Sequence, residues 1–399
     1  MHEPKLRFTA DDGSKFPDWE EKKIGDIGCF IKGAGLSKAD ISNVGTPLIL
    51  YGELYTTYSE VAYDIKRKTQ AVVDDKYYSL IGDVIIPTSG ESAEEISTAT
   101  CVMVPGVVLG GDLNIFRSSI LDGRIMSYIL NHQAKWKIVA IAQGKSIVHV
   151  QAKQLANIPV RYPVSECEQR KIADFLSMID TVIEKQKATI TAWEERKKGV
   201  MQKLFSQGVR FKADDGSEFP DWEEKKLGDI FEFYNGKAHE NAISENGKYV
   251  VVNSKFISTD GTVRKYTNEM IFPLIKNDIV MVMSDVPNGK AISKCFLINE
   301  NNKYTLNQRI CCLRTKENAV FYINQISRNK YFLKFDDGVK QTNLRKNDIL
   351  QCPLLCPCLA EQQKIADCLS SLDDVIEKQK ATLAAWKEMK KGLLQQMFV

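Results

Sequence analysis

Two stretches of the chain, EQRKIADFLSMIDTVIEKQKATITAWEERKKGVMQKLF (168–205) and EQQKIADCLSSLDDVIEKQKATLAAWKEMKKGLLQQMF (361–398), are near-copies of each other. Both carry apolar residues at alternating spacings of four and three, and neither contains proline. A sustained alternation of this kind is typical of a coiled-coil seam. The sequence therefore predicts two long coiled-coil helices, with seams formed by Ile172, Leu176, Ile179, Ile183, Ile190 and Trp193 in the first and by Ile365, Leu369, Leu372, Ile376, Leu383 and Trp386 in the second.

A second repeat surrounds the first. Residues 7–27 read RFTADDGSKFPDWEEKKIGDI and residues 210–230 read RFKADDGSEFPDWEEKKLGDI. Between the repeated blocks lie two inserts that hardly resemble each other, with short strand-like runs and Gly, Asp and Asn turns that are typical of α/β domains. The predicted order is a repeated N-terminal block (1–27), insert 1 (28–158), a helix (166–205), a repeated linker block (206–230), insert 2 (231–351) and a second helix (359–399).

Polar residues interrupt both predicted seams at matching positions, Gln186 with Gln379 and Lys197 with Lys390. Polar seam positions weaken a coil but fix its register. Because the second helix begins where insert 2 ends, chain order predicts that it runs back antiparallel along the first helix. Two like halves in one chain also favour a pseudo-twofold arrangement. The predicted fold class is α+β, with two α/β domains separated by a long antiparallel two-helix coiled coil.

Length and composition agree with a multidomain globular protein. At roughly 150 residues per domain, 399 residues predict two or three domains, and Lys plus Arg (54) nearly balance Asp plus Glu (51). That balance excludes a polybasic tail and an acidic disordered chain, but DNA binding needs only a local basic face. The sequence contains no long apolar run and no signal-peptide core, and its ten cysteines are typical of reduced thiols. We therefore expect a cytoplasmic protein.

No familiar catalytic motif is complete. The chain lacks the Pro-Pro of an amino-methyltransferase loop, and the phosphate-loop-like Gln143–Ser146 has Val139 where the first glycine should stand. Cys352, Cys356 and Cys358 lack a fourth zinc ligand and a close pair. A free-standing enzyme is therefore disfavoured, and we expect no catalytic, cofactor-binding or metal site in this chain.

Binding chemistry is better supported. Residues 231–351 carry 18 Lys and Arg against 12 Asp and Glu, whereas residues 31–158 carry 12 of each. Several loops combine groups suited to base edges with groups suited to phosphates, although each of them could also be a solvated surface loop. The predicted DNA-binding residues are Lys38, Tyr55, Thr57, Thr88, Ser89, Lys145, Ser146 and His149 in insert 1, and Lys237, His239, Lys255, Arg309, Lys340, Gln341 and Asn343 in insert 2.

The duplicated plan resembles the specificity subunits of type I restriction–modification systems. The resemblance spans nearly the whole chain and is strongest in PVSECEQRKIADFLSMIDTVIEKQK (163–187) and PCLAEQQKIADCLSSLDDVIEKQK (357–380), which look like the central and C-terminal conserved regions of that family. GKSIVHVQAKQLANIPV (144–160) and GVKQTNLRKNDILQCPL (338–354) look like the recurrent ends of its target recognition domains.

The resemblance implies a non-catalytic subunit that acts in defence against foreign DNA. Each insert would be a target recognition domain that reads one half of a bipartite double-stranded DNA sequence. The helices would set the spacer between the half-sites and dock two methyltransferase (M) subunits, and two restriction/translocase (R) subunits would complete the complex. S-adenosylmethionine, ATP and magnesium would be used by those partner subunits. The alternative is a coiled-coil adaptor protein without sequence-specific DNA binding, which explains the helices but not the two divergent inserts.

Overall fold

The computed structural model describes residues 4–144, 147–239, 242–286, 290–336 and 339–398. It divides into unit 1, which comprises Met1–Thr189 and Gln379–Val399, and unit 2, which comprises Ile190–Lys378. Each unit contains one insert together with part of each long helix, so that each combines α-helices with β-sheets. No helix among the described residues combines the length and the apolarity needed to cross a membrane.

In the part of the first half that the structure describes, thirteen short strands precede the long helix. The strands are β1 (Glu20–Lys23), β2 (Cys29–Lys32), β3 (Ile41–Ser42), β4 (Thr46–Ile49), β5 (Val61–Ala62), β6 (Arg67–Thr69), β7 (Asp83–Pro87), β8 (Ser89–Gly90), β9 (Thr100–Val102), β10 (Val108–Leu109), β11 (Leu113–Arg117), β12 (Val148–His149) and β13 (Pro159–Tyr162). The helices are α1 (Ile24–Ile27), α2 (Glu53–Thr56), α3 (Ala93–Ile96), α4 (Gly123–Asn131), α5 (Lys135–Ile141), α6 (Ala152–Ala156) and α7 (Glu166–Phe205), with 3₁₀ turns at Lys38–Asp40 and Asp75–Tyr77.

Unit 1 is built around a five-stranded sheet in the order β2-β11-β7-β9-β5, beside a four-stranded sheet in the order β10-β4-β6-β3. The central strand β7 is buried on both faces, because Val84 and Ile86 pack into one apolar cluster and Ile85 into another. Successive side chains of a strand point to opposite faces. The apolar run DVIIP therefore joins two cores, one of which reaches the long helices through Leu176 and Leu394.

The second half repeats this plan with fewer strands. They are β14 (Glu223–Lys226), β15 (Glu232–Asn235), β16 (Tyr249–Val252), β17 (Lys265–Thr267), β18 (Ile279–Val282), β19 (Ser284–Asp285), β20 (Cys295–Leu297), β21 (Tyr304–Leu306), β22 (Ile310–Arg314), β23 (Thr342–Asn343) and β24 (Pro353–Cys356). The helices are α8 (Leu227–Ile230), α9 (Ser254–Ser258), α10 (Ala319–Ile326), α11 (Lys330–Leu333), α12 (Lys346–Leu350) and α13 (Leu359–Met397).

Unit 2 has a four-stranded sheet in the order β15-β22-β18-β20 and a three-stranded sheet in the order β17-β16-β21. Its central strand β18 again serves two cores, since Ile279 and Met281 pack into one cluster and Val280 and Val282 into another. Cys352 and Cys356 are buried in the first of these clusters. Within the described part of the chain, no group of three or more His, Cys, Asp or Glu residues is placed to hold a metal ion.

The repeated blocks form the same structure in each unit, which we call the collar. Strand β1 pairs antiparallel with β13, and β14 pairs in the same way with β24. Behind the first collar, Arg7 and the indole N–H of Trp19 donate to the fully buried carboxylate of Glu168. Arg210 and Trp222 make the same contacts with Glu361. A buried carboxylate must be paired, so these blocks have a structural reason to be repeated.

The long helices run in opposite directions along each other in both units. In unit 1, the Gln186 side-chain amide donates to Gln379 Oε1 at 2.6 Å, and Lys390 Nζ lies 2.6 Å from Asp180 Oδ1. In unit 2, Lys197 Nζ lies 2.6 Å from Asp373 Oδ1. Of the predicted seam residues, Ile172, Leu176, Ile179, Ile183, Ile190, Ile365, Leu369 and Ile376 are buried, and Trp193, Leu372, Leu383 and Trp386 are partly buried.

Candidate nucleic-acid interface

Backbone hydrogen bonds bring four of the predicted DNA-binding residues of insert 1 together. Strand β8 pairs antiparallel with β12, which sets Ser89 opposite His149. The Thr88 N–H donates to the Asp112 carbonyl at 2.8 Å, and the Thr88 carbonyl accepts from the Val150 N–H at 3.0 Å. The Tyr55 hydroxyl donates to the Ser89 carbonyl at 3.0 Å. Burial raises the pKa of Tyr55, so that its hydroxyl stays protonated and remains a donor. We call this arrangement frame 1.

Frame 1 opens onto two adjoining clefts of about 800 and 580 Å³ that share Leu36, Ser37, Gly111 and Asp112. Thr88 and His149 line the first cleft together with the exposed Lys32 and Lys153, and Lys38 and Arg67 line the second. Lysine and arginine are the usual phosphate-binding side chains, and threonine and histidine can approach base edges. The surface therefore combines both kinds of group within one insert.

The corresponding frame 2 of insert 2 is built in the same way. Strand β19 pairs antiparallel with β23, which sets Ser284 opposite Asn343. The Met283 N–H donates to the Arg309 carbonyl at 3.0 Å, and the Met283 carbonyl accepts from the Leu344 N–H at 2.8 Å. The Ser284 hydroxyl donates to Asn343 Oδ1 at 2.7 Å and accepts from Gln341 Nε2 at 2.6 Å. Three predicted residues, Arg309, Gln341 and Asn343, thus come together, with Lys340 exposed beside them.

A glycine is required behind each frame. A Cβ atom at Gly33 would collide with the carbonyl oxygen of Gly110, and a Cβ atom at Gly236 would collide with the carbonyl oxygen of Asn307. Each glycine also donates its N–H to the strand that follows the turn, Gly33 to Leu113 and Gly236 to Ile310. Close packing of two backbones therefore explains Gly33 and Gly236.

Other predicted residues lie at the edges of the frames. Thr57 is exposed at the end of α2, where its hydroxyl lies 3.3 Å from that of Thr56. Lys237 is exposed, and its backbone bonds with Leu306 and Gln308 hold it beside the turn that carries Arg309. Lys255 is exposed on α9. Lys145 and Ser146 lie outside the described residues.

Two predicted contacts need correction. His239 is only 1% exposed, and its ring nitrogens lie 2.8 Å from the Lys237 carbonyl and 3.0 Å from the Thr305 hydroxyl. It is therefore a core residue that holds the chain at Lys237 and has no surface to offer a base. Ser89 is also buried, because it lies in the β8–β12 pair behind Tyr55. Both residues support the frames from within the protein.

The comparisons with known proteins agree with the two frames. Residues 17–192 and 220–385 both match the model of the type I restriction modification DNA specificity domain. The chain belongs to this family. Each matched range of this type I specificity chain contains one complete frame, so the family domain occurs twice, once around each insert.

Two curated relatives are also described as type I specificity subunits. The chain is 26% identical over 399 residues to the type I restriction enzyme MjaVIII specificity subunit of Methanocaldococcus jannaschii, covering 93% of this chain and 90% of that protein. It is 24% identical over 387 residues to the putative MjaX specificity subunit of the same organism, covering 90% and 88%.

Solved structures share the fold of this specificity chain. The S subunit of a type I restriction-modification system from M. genitalium superposes with a TM-score of 0.62 at 18% identity, covering 100% of this chain and 99% of that one. A chain from a structure of type I R-M complex assembly and conformational transition gives a TM-score of 0.54 at 14% identity, covering 96% and 98%.

Sequence reasoning missed several residues of the frames, among them Ser284 and Asp112. In frame 1, Asp112 occupies the position that Arg309 occupies in frame 2, directly before the strands LNIFR (113–117) and ICCLR (310–314). The signal was present in the sequence, because both strands end in an arginine, Arg117 and Arg314. An alignment of the inserts on those arginines would have paired Asp112 with Arg309.

Proposed function

We propose that this specificity subunit reads an asymmetric, bipartite DNA sequence, with one half-site for each insert, and that it catalyses no reaction itself. The observation that carries the proposal is the occurrence of the same hydrogen-bonded frame in both inserts with different exposed side chains. A common backbone frame supports a common way of approaching DNA. Different side chains at its surface, such as His149 in frame 1 and Asn343 in frame 2, support different half-sites.

The two long helices would form an antiparallel coiled coil with pseudo-twofold symmetry. The ion pairs along the seam support this finer description. Lys390 corresponds to Lys197 and Asp373 corresponds to Asp180, each at a separation of 193 positions. Exchanging the two helices therefore turns one pair into the other. A coil with a fixed register would act as a ruler that sets the spacer between the half-sites.

The ruler can be tested by lengthening both helices. Four residues inserted after Gln186 and four after Gln379 add about 6 Å of helix and interrupt the heptads as a stutter that a coil can absorb. We expect the preferred spacer to lengthen by one or two base pairs while both half-sites stay the same, because ten base pairs span roughly 34 Å. Insertion in one helix alone is the control for loss of pairing. A folded, active double insertion that still modifies the original spacing would refute the ruler.

The partners would be two methyltransferase subunits and two restriction/translocase subunits, which would use S-adenosylmethionine, ATP and magnesium. Support for two corresponding docking sites comes from the position of a surface depression that recurs at the start of each long helix. One is lined by Ile81, Ile120 and Arg170, and the other by Lys276, Glu317 and Gln363. The same part of the repeated plan, the start of a long helix, forms both depressions, which fits two copies of one partner.

The docking proposal predicts a change in stoichiometry. Arg170 and Gln363 are exposed, 193 positions apart, on corresponding turns of α7 and α13. In native mass spectrometry of the reconstituted complex, Arg170→Glu and Gln363→Glu should each reduce the number of bound methyltransferase subunits from two to one, and the double variant should bind none. A double variant that still binds two subunits would place the docking surface elsewhere.

The DNA-reading function itself is best tested by mapping methylated adenines across the genome of cells with and without this subunit. We expect one bipartite sequence to lose methylation when the subunit is absent. A gel shift of the purified chain on random and selected duplexes separates a DNA reader from a coiled-coil adaptor, which would show no sequence preference. The purified chain should transfer no methyl group from labelled S-adenosylmethionine. We place the assembled complex in the cytoplasm, where it meets foreign DNA.

A further inference from the structure

Asp112 and Arg309 occupy one structural position in two different inserts. Each directly precedes a strand, β11 or β22, and each accepts a backbone hydrogen bond from the residue before the short frame strand, Thr88 or Met283. Both have a left-handed backbone, with φ of 58° at Asp112 and 67° at Arg309. Position, hydrogen bonding and backbone conformation therefore agree, and the side chains carry opposite charge.

The left-handed backbone makes the choice of side chain informative. Glycine adopts this conformation without strain, whereas an arginine there is uncommon and strained. Strained residues persist where the surrounding structure holds them and are concentrated at functional sites. Both side chains are exposed at the surface of their frames, so burial does not account for them. Glycine would serve the backbone better at both positions, and the exposed side chains of Asp112 and Arg309 are available for a contact outside the protein.

The surroundings of Asp112 argue against a phosphate contact. Asp112 lines both clefts of frame 1, the first together with the exposed Lys32 and Lys153 and the second together with the exposed Lys38. Its Oδ1 accepts a hydrogen bond from the Thr88 hydroxyl at 3.4 Å. The second carboxylate of the clefts, Glu53, is buried and paired with Arg67 at 3.0 Å. An exposed acid at the centre of a basic surface repels phosphates but accepts hydrogen bonds from an amino group on a base edge.

Arg309 has the complementary chemistry. An arginine fork donates two parallel hydrogen bonds to O6 and N7 of guanine, which is the commonest base-specific contact in the major groove. A carboxylate at the same place prefers the N4 amino group of cytosine or the N6 amino group of adenine. The same backbone position can thus select opposite members of a base pair.

We propose that Asp112 and Arg309 are equivalent base-reading residues of opposite preference, with Asp112 selecting an amino-bearing base, cytosine or adenine, in half-site 1 and Arg309 selecting guanine in half-site 2. The inference rests on the proposed function, because it assumes that each frame faces one half-site. It goes further by assigning one residue and one class of base to each half-site.

The experiment exchanges the two side chains in the full chain, assembled with its partner subunits, and maps methylated adenines. Asp112→Arg should change one position of half-site 1 to guanine, with about 10- to 100-fold discrimination, and leave half-site 2 unchanged. Arg309→Asp should change only the corresponding position of half-site 2. Asp112→Gly and Arg309→Gly relieve the backbone and remove the side chain, so each should relax specificity at one position in a protein that still folds.

Matched controls are available in unit 2. Asp260 and Arg328 also have a left-handed backbone, with φ of 50° and 56°, and they lie outside the frames. Asp260→Arg and Arg328→Asp should leave both half-sites unchanged. If the glycine variants keep the wild-type half-sites, or weaken binding to all sequences alike, the base-reading assignment is wrong. If the wild-type complex shows no bipartite sequence, the proposed function fails instead, and the two failures are distinguishable.

Discussion

Lys390 and Lys197 occupy corresponding positions on the two long helices but have different surroundings. In unit 1, Lys390 Nζ lies 2.6 Å from Asp180 and 2.8 Å from Glu60 of insert 1, and the Tyr128 hydroxyl donates to Asp180. His132 Nε2 lies 3.5 Å from Glu60. In unit 2, Lys197 pairs with Asp373, whose side chain is 51% exposed. The helices repeat their ion pair, and insert 1 adds the partly buried Glu60 to one copy.

The pKa shifts of Glu60, Asp180 and Lys390 follow from this difference. Burial raises the pKa of Glu60, but the neighbouring His132 and Lys390 outweigh it and hold that pKa at about 2. Burial raises the pKa of Asp180 above its usual value despite Lys390. Burial lowers the pKa of Lys390, and the two carboxylates more than compensate and raise it. Mutually dependent charges thus connect insert 1 to the helices. The repeated helices therefore contact insert 1 through an ion pair that has no counterpart at Lys197.

The largest expected effect comes from removing the shared lysine. Lys390→Met removes the cation from two partly buried carboxylates, whose side chains are 18% and 17% exposed, and should lower the stability of unit 1 by about 3 kcal/mol. Lys197→Met, the matched variant, should have an effect below about 1 kcal/mol, because its partner is exposed. Native-state hydrogen exchange measures each unit separately, as the two need not unfold together. Equal effects in the two units would remove the distinction between the junctions.

Acid should expose the same difference. Because the pKa of Glu60 falls from 4.5 to about 2 on folding, its contribution is present above pH 4.5 and is lost as the pH falls towards 2. The loss is on the order of 3 kcal/mol, partly offset by Asp180, whose raised pKa has the opposite effect. Glu60→Gln should remove this acid-dependent loss from unit 1, as hydrogen exchange at several pH values can show. An unchanged pH profile in the variant would contradict the assignment.

The collars should behave alike, in contrast to the lysines. Arg7→Ala and Arg210→Ala each remove an arginine from a fully buried glutamate that keeps its tryptophan donor. We expect each variant to lose about 2–3 kcal/mol of stability in its own unit. Urea unfolding monitored by hydrogen exchange measures the loss in each unit. The comparison would be broken if one collar tolerated the change and the other did not.

The smallest effect belongs to the paired glutamines. Gln186→Leu leaves the Gln379 side chain without its 2.6 Å partner and should lower the stability of the coil by about 1 kcal/mol. The double variant Gln186→Leu/Gln379→Leu should recover that loss, because two facing leucines need no hydrogen bond. Thermal unfolding of the single and double variants measures this. A double variant less stable than the single one would mean that the amides do more than fix the register.

The long helices and the repeated blocks could be predicted from the sequence because their signals are local. Heptad spacing reflects the burial of every third and fourth residue, and Gln186 and Lys197 interrupt the seam where the helices form polar contacts. The partner of Lys390 could not be predicted, because Glu60 lies 330 positions away in an insert. The frames were hidden for a related reason. Thr88 corresponds to Met283 and Asp112 to Arg309 at different offsets, since the loops between them differ in length.

His239 shows a second limit. A histidine after an exposed lysine is typical of a surface loop, and only the packed structure shows that Thr305 and the chain at Lys237 enclose its ring. Burial of a polar residue depends on distant partners, which no local pattern contains.

The seam pairing also bears on how the chain assembles. Gln186 meets its own counterpart Gln379, and Lys197–Asp373 becomes Asp180–Lys390 when the helices are exchanged. Each helix therefore carries a residue for each side of every polar pair. It would pair with the corresponding helix of another molecule as readily as with the second helix of its own chain. The covalent link through insert 2 decides the outcome, because it gives the two helices of one chain a high effective concentration. We therefore expect each chain to pair its own two helices unless the concentration of chains approaches that effective concentration.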